Sequence, residues 1–238
     1  MAPRRLAMAL ALIATTALAG IAAPASATGL AGAGALELIA QLLLTSRGQE
    51  LVARQREAAS RRASRLKLIE RLKRYGRPQD SEPLMPLLKD PDEVVRRQAE
   101  DAIWSVWGRS GNPEIDRLFR AGVGQMGRRE VDHAIETFTR ILDNLPTFAE
   151  AWNKRATARF LAGDLAGAME DCEHALALVP DHFGSLAGYG HIYFRLDDLD
   201  MAILYWRRAL AVNPNLQSVA LSIEAAERLL VARGRLST

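Results

Sequence analysis

The fold is decided by residues 113–214, which divide into three strings of equal length, each ending in proline. They are PEIDRLFRAGVGQMGRREVDHAIETFTRILDNLP (113–146), TFAEAWNKRATARFLAGDLAGAMEDCEHALALVP (147–180) and DHFGSLAGYGHIYFRLDDLDMAILYWRRALAVNP (181–214). Pro146, Pro180 and Pro214 recur at a spacing of 34, as do Ala134, Ala168 and Ala202, then Leu142, Leu176 and Leu210, then Ile135, Met169 and Ile203. Four registers in phase over three copies mark an internal repeat, and a period in this range means stacked supersecondary units. Gly163-Asp164 and Asp197-Asp198 mark inner turns, and each proline closes a helix it cannot continue. Each copy therefore reads as two helices joined by a tight turn. Small residues at Gly122, Ala156 and Gly190 are expected to face Ala134, Ala168 and Ala202, with Trp152, Phe138 and Trp206 filling the space beside them.

The same residues resemble the tetratricopeptide repeat, whose pattern runs Trp-x2-Leu-Gly-x2-Tyr, Ala-x3-Phe, Pro. The third copy supplies Leu186, Tyr189-Gly190, Tyr193, Ala202, Trp206 and Pro214. The second supplies Trp152, Arg155-Ala156, Ala168, Cys172 and Pro180, and the first Leu118, Ala121-Gly122, Ala134, Phe138 and Pro146. Gln125 and Arg159 depart from the tyrosine of the pattern. The resemblance implies an all-α, right-handed superhelical stack with an N-terminal helical extension, and a non-enzymatic protein-interaction scaffold. In such a stack the first helix of every repeat lines a concave groove. Helical phase then points to Phe119, Val123, Asn153, Thr157, Phe160, His191, Phe194 and Arg195 as groove-facing, with Met126 and Lys154 at the margin. Exposed aromatics with a few polar groups suit a peptide or helix segment of a partner protein. Phe119 and Val123 stand where carboxylate-gripping relatives carry polar ligands, so that binding mode is not expected. The strings Phe148–Thr157 and Pro180–Gly190, with Ala102-Ile103-Trp104 and Trp107, are similar to small exported repeat proteins of alphaproteobacteria.

Outward from the repeats, residues 1–27 read as a signal peptide: Arg4 and Arg5, an apolar run from Leu6 to Ala23, then small residues ending at Ala27. That places the chain in the periplasm or cell envelope, or, in a photosynthetic eukaryote, a thylakoid lumen. An uncleaved anchor is the other reading of this segment. The lone Cys172 allows no internal disulfide and falls at a core position of its repeat.

Residues 28–80 form a basic helical extension. Between Arg47 and Arg77 eleven basic residues face three acids, a local charge of +8, whereas Pro78 onward carries 18 basic and 24 acidic residues. Leu66, Ile69 and Leu72 recur at helical spacing, and Tyr75-Gly76-Arg77-Pro78 stops the helix. Segment 47–77 is expected to contact a membrane surface of anionic lipid or an acidic partner, unless it is a solvated face docked on the acidic repeats. As a second reading of the whole chain it would make a membrane-associated protein, for instance an assembly factor in a thylakoid lumen. Nucleic acid is not expected, since no aromatics interleave for base stacking. Residues 81–112 suggest a hairpin, a short helix at Glu82–Leu88 and a second at Glu93–Trp107, resembling one HEAT unit. Residues 215–238 supply a capping helix and tail.

Nothing in the sequence organises catalysis. His133, His174, His182 and His191 lack the i, i+4 spacing of a zinc helix, and no nucleophile elbow or phosphate loop is present. No catalytic residue, metal ligand or cofactor is expected.

Overall fold

The computed structural model describes Gln41 and residues 45–234; the signal-like segment lies outside them. Every regular element among the described residues is helical, and none is long and apolar enough to cross a membrane. The chain divides into two units at Ala63/Ser64, within the first helix, α1 (Ser46–Tyr75). In the first unit Glu50–Arg54 and Glu57–Arg61 form i, i+4 ion pairs along the helix.

The second unit opens with the last turns of α1. Gly76 is buried at the stop, where a Cβ would lie 2.6 Å from the Leu72 carbonyl oxygen. Arg109 donates to the carbonyls of Lys73 and Gly76, satisfying acceptors that a helix end leaves open. The next element, Pro78–Lys89, is a 3-10 helix. Pro83 and Pro86 remove backbone donors and clash with an α-helical ladder, which explains the tighter winding. This first arm therefore differs from the α-helix of a HEAT unit. Helix α2 (Glu93–Trp107) starts at Asp92, whose carboxylate accepts from the Val94 and Val95 N–H groups. Ile69, Leu84, Leu88, Val95, Ala99, Ile103 and Val106 join these elements in one small core.

The repeats follow as α3 (Pro113–Gly127) with α4 (Val131–Asn144), α5 (Ala149–Ala162) with α6 (Leu165–Leu178), and α7 (Phe183–Arg195) with α8 (Leu199–Val212). Helix α9 (Gln217–Ala232) closes the stack with Val219, Ile223, Ala226 and Leu230 buried against Trp206 and its neighbours. Each inner turn has one left-handed residue: Arg129, Gly163 and Asp197, with φ of 62°, 87° and 63°. These positions are again 34 apart, so the turn geometry repeats although only one copy supplies the glycine it favours.

Inside each repeat the small residue of the first helix also packs directly on the large residue of the second. A Cβ on Gly122 would lie 2.8 Å from the Phe138 ring, and one on Gly190 would lie 2.3 Å from Trp206. In the middle repeat the small position is Ala156 and its counterpart shrinks to Cys172, packed in the same cluster. The two positions thus change together, the larger first residue facing the smaller second one. Cys172 is buried, and burial with the neighbouring Asp171 charge pushes its thiol up to about 12.

Candidate functional site

The first helices of the repeats, α3, α5 and α7, present the expected groove residues unequally. Val123, Thr157, His191, Phe194 and Arg195 are exposed. Phe160 is half-buried, with the Arg195 guanidinium 5.4 Å above its ring. A cleft of about 70 Å³ is lined by Asn153, Thr157, Phe160, Cys172, Gly188 and His191. Phe194 and His191 lie against Trp206 at 5.7 and 5.3 Å between ring centroids, so the rim of the cleft rests on the core.

Phe119 does not face this groove. It is 6 % exposed and packs on Phe138 and Phe148 at 5.8 and 5.1 Å, sealing the first repeat against the second. Met126 is half-buried on the same cluster. Asn153 touches the cleft, but its side chain is buried and committed. Its amide donates to Glu150 Oε2 at 3.0 Å, and its carbonyl accepts from Ser185 Oγ at 3.2 Å. Lys154 pairs with Glu150 at 3.0 Å and lies 5.1 Å from the Trp104 ring centre.

These commitments belong to a network that bridges the second and third repeats at the N-terminal ends of α5 and α7. His182 is the N-cap of α7: its Nδ1 accepts from the Ser185 N–H at 3.1 Å. That leaves the ring proton on Nε2, 2.9 Å from Glu150 Oε2. Glu150, His182 and Ser185 are all buried. Burial works against the Glu150 charge, but the Lys154 ammonium and the hydrogen bonds from His182 and Lys154 outweigh it. They hold its carboxyl below the usual carboxylate range.

The hairpin covers this network. Trp107 stacks on His182 at 4.3 Å, its indole N–H donating to Ser81 Oγ at 3.1 Å. Trp104 meets Phe183 edge-on at 4.8 Å and crowds Gly184. Farther along, Asn215 donates to the Leu88 carbonyl at 2.9 Å and accepts from Arg96 Nε at 3.0 Å. The 3-10 helix and α2 therefore strap the N-terminal ends of α5, α7 and α9, while the C-terminal halves of α3, α5 and α7 stay accessible. Sequence reasoning missed Trp104, Trp107, Glu150, His182 and Ser185. A pair of tryptophans in α2, with no place in the repeat pattern, was the available signal.

A second buried charge was also missed. Arg155 stands where the repeat pattern has leucine, and it grips Asp171 through two bonds of 2.8 and 2.9 Å while donating to Thr139 at 3.0 Å. Planar guanidinium and carboxylate satisfy one another here, so a charge is tolerated at a core position. Among the described residues no group of three or more His, Cys, Asp or Glu converges as a metal site.

The family model for the tetratricopeptide repeat matches residues 184–216. A TPR repeat-containing protein of Rhizobium etli is 28% identical over 171 residues, spanning 71% of this chain and 76% of its own. Tetratricopeptide repeat protein 36 of Bos taurus is 51% identical over 65 residues, 27% of this chain and 32% of that protein. Among solved structures, the Sgt2 TPR domain from Aspergillus fumigatus is similar in fold, with TM-score 0.50 and 24% identity over 53% of this chain and 85% of that one. With the phased turns described above, these likenesses identify the repeats of this chain as tetratricopeptide repeats.

Proposed function

We propose that the chain is a non-catalytic scaffold that binds an extended segment of a partner protein along the open half of its concave face. The reading rests on one observation: the cleft of about 70 Å³ between α5 and α7, lined by exposed Thr157 and His191 and by Phe160, with the Arg195 guanidinium over the Phe160 ring. Small-molecule and cofactor pockets run to roughly 300–1,000 Å³. A space this small accepts one side chain. Trp104 and Trp107 fill the other end of the face, so a short extended segment fits better than a long helix. Arg195 over Phe160 offers a cation beside an apolar slot, favouring a segment with an apolar residue next to an acidic one.

The setting we propose is the cell envelope, on the strength of the signal-like residues 1–27, with a thylakoid lumen as the counterpart in a photosynthetic eukaryote. In-cell crosslinking with mass spectrometry on the mature protein tests both points. Thr157→Asp with Arg195→Glu alters exposed positions and is expected to abolish recovery of a reproducible partner while thermal unfolding stays as in the parent. Unchanged recovery would reject the groove, and partners confined to the cytosol would reject the setting.

A further inference from the structure

The part of α1 within the second unit has two faces of different character. Ile69 is buried, with Leu66 and Leu72 beside it on the hairpin core, and Arg65 on the same side pairs with Asp90 at 2.9 Å. At 100° per residue, the opposite face carries Lys67, Arg71 and Arg74, spaced i, i+4 and i+7, with one exposed acid, Glu70, at its edge. All three cations are exposed, and none is paired with a carboxylate among the described residues. Along one flank of this cationic row lie half-buried Leu68 and Tyr75, the latter 72% exposed. Arg128 and Arg233, by contrast, stand beside Glu130 and Asp197.

We infer that this face of α1 docks on an anionic lipid bilayer. Three unpaired cations on a rigid helix, about 11 Å from Lys67 to Arg74 at the usual helical rise, present a row of charge. Beside them stand an aliphatic side chain and a tyrosine, the amphipathic ring that settles at headgroup level with its apolar body toward the acyl chains. In sequence, the basic run follows directly on the apolar stretch LELIAQLLL, residues 36–44. The hairpin fixes the orientation, because Ile69 and the Arg65–Asp90 pair hold the opposite face inward. This inference is independent of the groove and uses none of its residues.

The test is co-sedimentation of the full chain with vesicles of phosphatidylcholine alone and of phosphatidylcholine with phosphatidylglycerol at three to one. Preferential partition into the anionic vesicles is expected, falling as salt is raised. Each cation near an anionic surface contributes about a fivefold gain in partition, so Lys67→Gln with Arg71→Gln and Arg74→Gln should reduce it roughly 100-fold. The substituted side chains are exposed, and unchanged helix content by circular dichroism will confirm that the fold survives. A Tyr75→Cys variant labelled with an environment-sensitive fluorophore provides the second readout, since buried Cys172 will not compete for label. Its emission should shift to the blue on anionic vesicles. Equal partition into both vesicle types, an unaffected triple variant or an unshifted fluorophore would overturn the proposal. A triple variant that keeps vesicle binding but loses a crosslinked protein would assign the face to an acidic partner instead.

Discussion

Trp104 lies so close to Gly184 that a methyl group on the glycine would stand 2.7 Å from the indole ring. The hairpin and the third repeat are thus fitted to each other at atomic contact. Gly184→Ala is expected to destabilise the chain by about 1–3 kcal/mol, the usual cost of overpacking. Trp104→Leu should cost stability alone yet relieve part of the Gly184→Ala penalty. Urea unfolding of both single variants and the double variant measures that coupling, and strict additivity would show that the contact carries no energy.

The pairing of small with large inside each repeat gives a second expectation. Gly190→Ala should destabilise by roughly 1–3 kcal/mol, although alanine is the better helix former by about 1 kcal/mol. The reason is Trp206, 2.3 Å from the new methyl. In the middle repeat, Cys172→Phe should be tolerated far better with Ala156→Gly than without it, because the pair would then match Gly122 with Phe138. Thermal melts of the three variants decide this, and equal losses with and without Ala156→Gly would refute it.

The Glu150 network predicts how stability depends on pH. Lys154, His182 and Asn153 face the carboxylate from around it, under the cover of Trp107. Because the folded carboxyl titrates below its unfolded value of about 4.3, its stabilisation is present in full above that pH. It is lost as pH falls through the lower folded value. Stability measured by urea unfolding should therefore drop on acidification, and Glu150→Gln should flatten this part of the profile while lowering stability at neutral pH. A variant with the parent's acid slope would place the titration elsewhere.

Cys172 offers a probe of opening. Its thiol is buried and pushed up to about 12, so the reactive thiolate is scarce near neutral pH. Alkylation at pH 8 should proceed only through unfolding, with a rate that rises with urea in step with global stability. Rapid labelling of the native protein would contradict the packing of α5 against α6.

The repeats were legible because the signal is periodic: Pro146, Pro180 and Pro214 alone fix the frame, and the all-helical stack follows. The groove was less so. Helical phase gives the direction of a side chain from its own axis, but not whether the next repeat has closed over it. Phe119 shares its phase with Asn153, yet one is sealed under Phe148 and the other is locked to Glu150. The strap was not legible at all, since its contacts join Leu88 and Arg96 to Asn215 across more than a hundred residues. No local pattern announces such a contact. The 3-10 winding of Pro78–Lys89 did leave a trace in Pro83 and Pro86, whose missing donors exclude a regular α-helix there.

The bond from Asn215 to the Leu88 carbonyl changes how the array should come apart. A row of repeats in which each touches only its neighbours behaves as a one-dimensional chain, free to fray from either end. Here the element before the first repeat grips the turn after the last, and the row becomes a loop tied to itself. The terminal repeat should consequently lose the low-cost opening that ends of solenoids possess, and hydrogen exchange in α8 should approach that of α5.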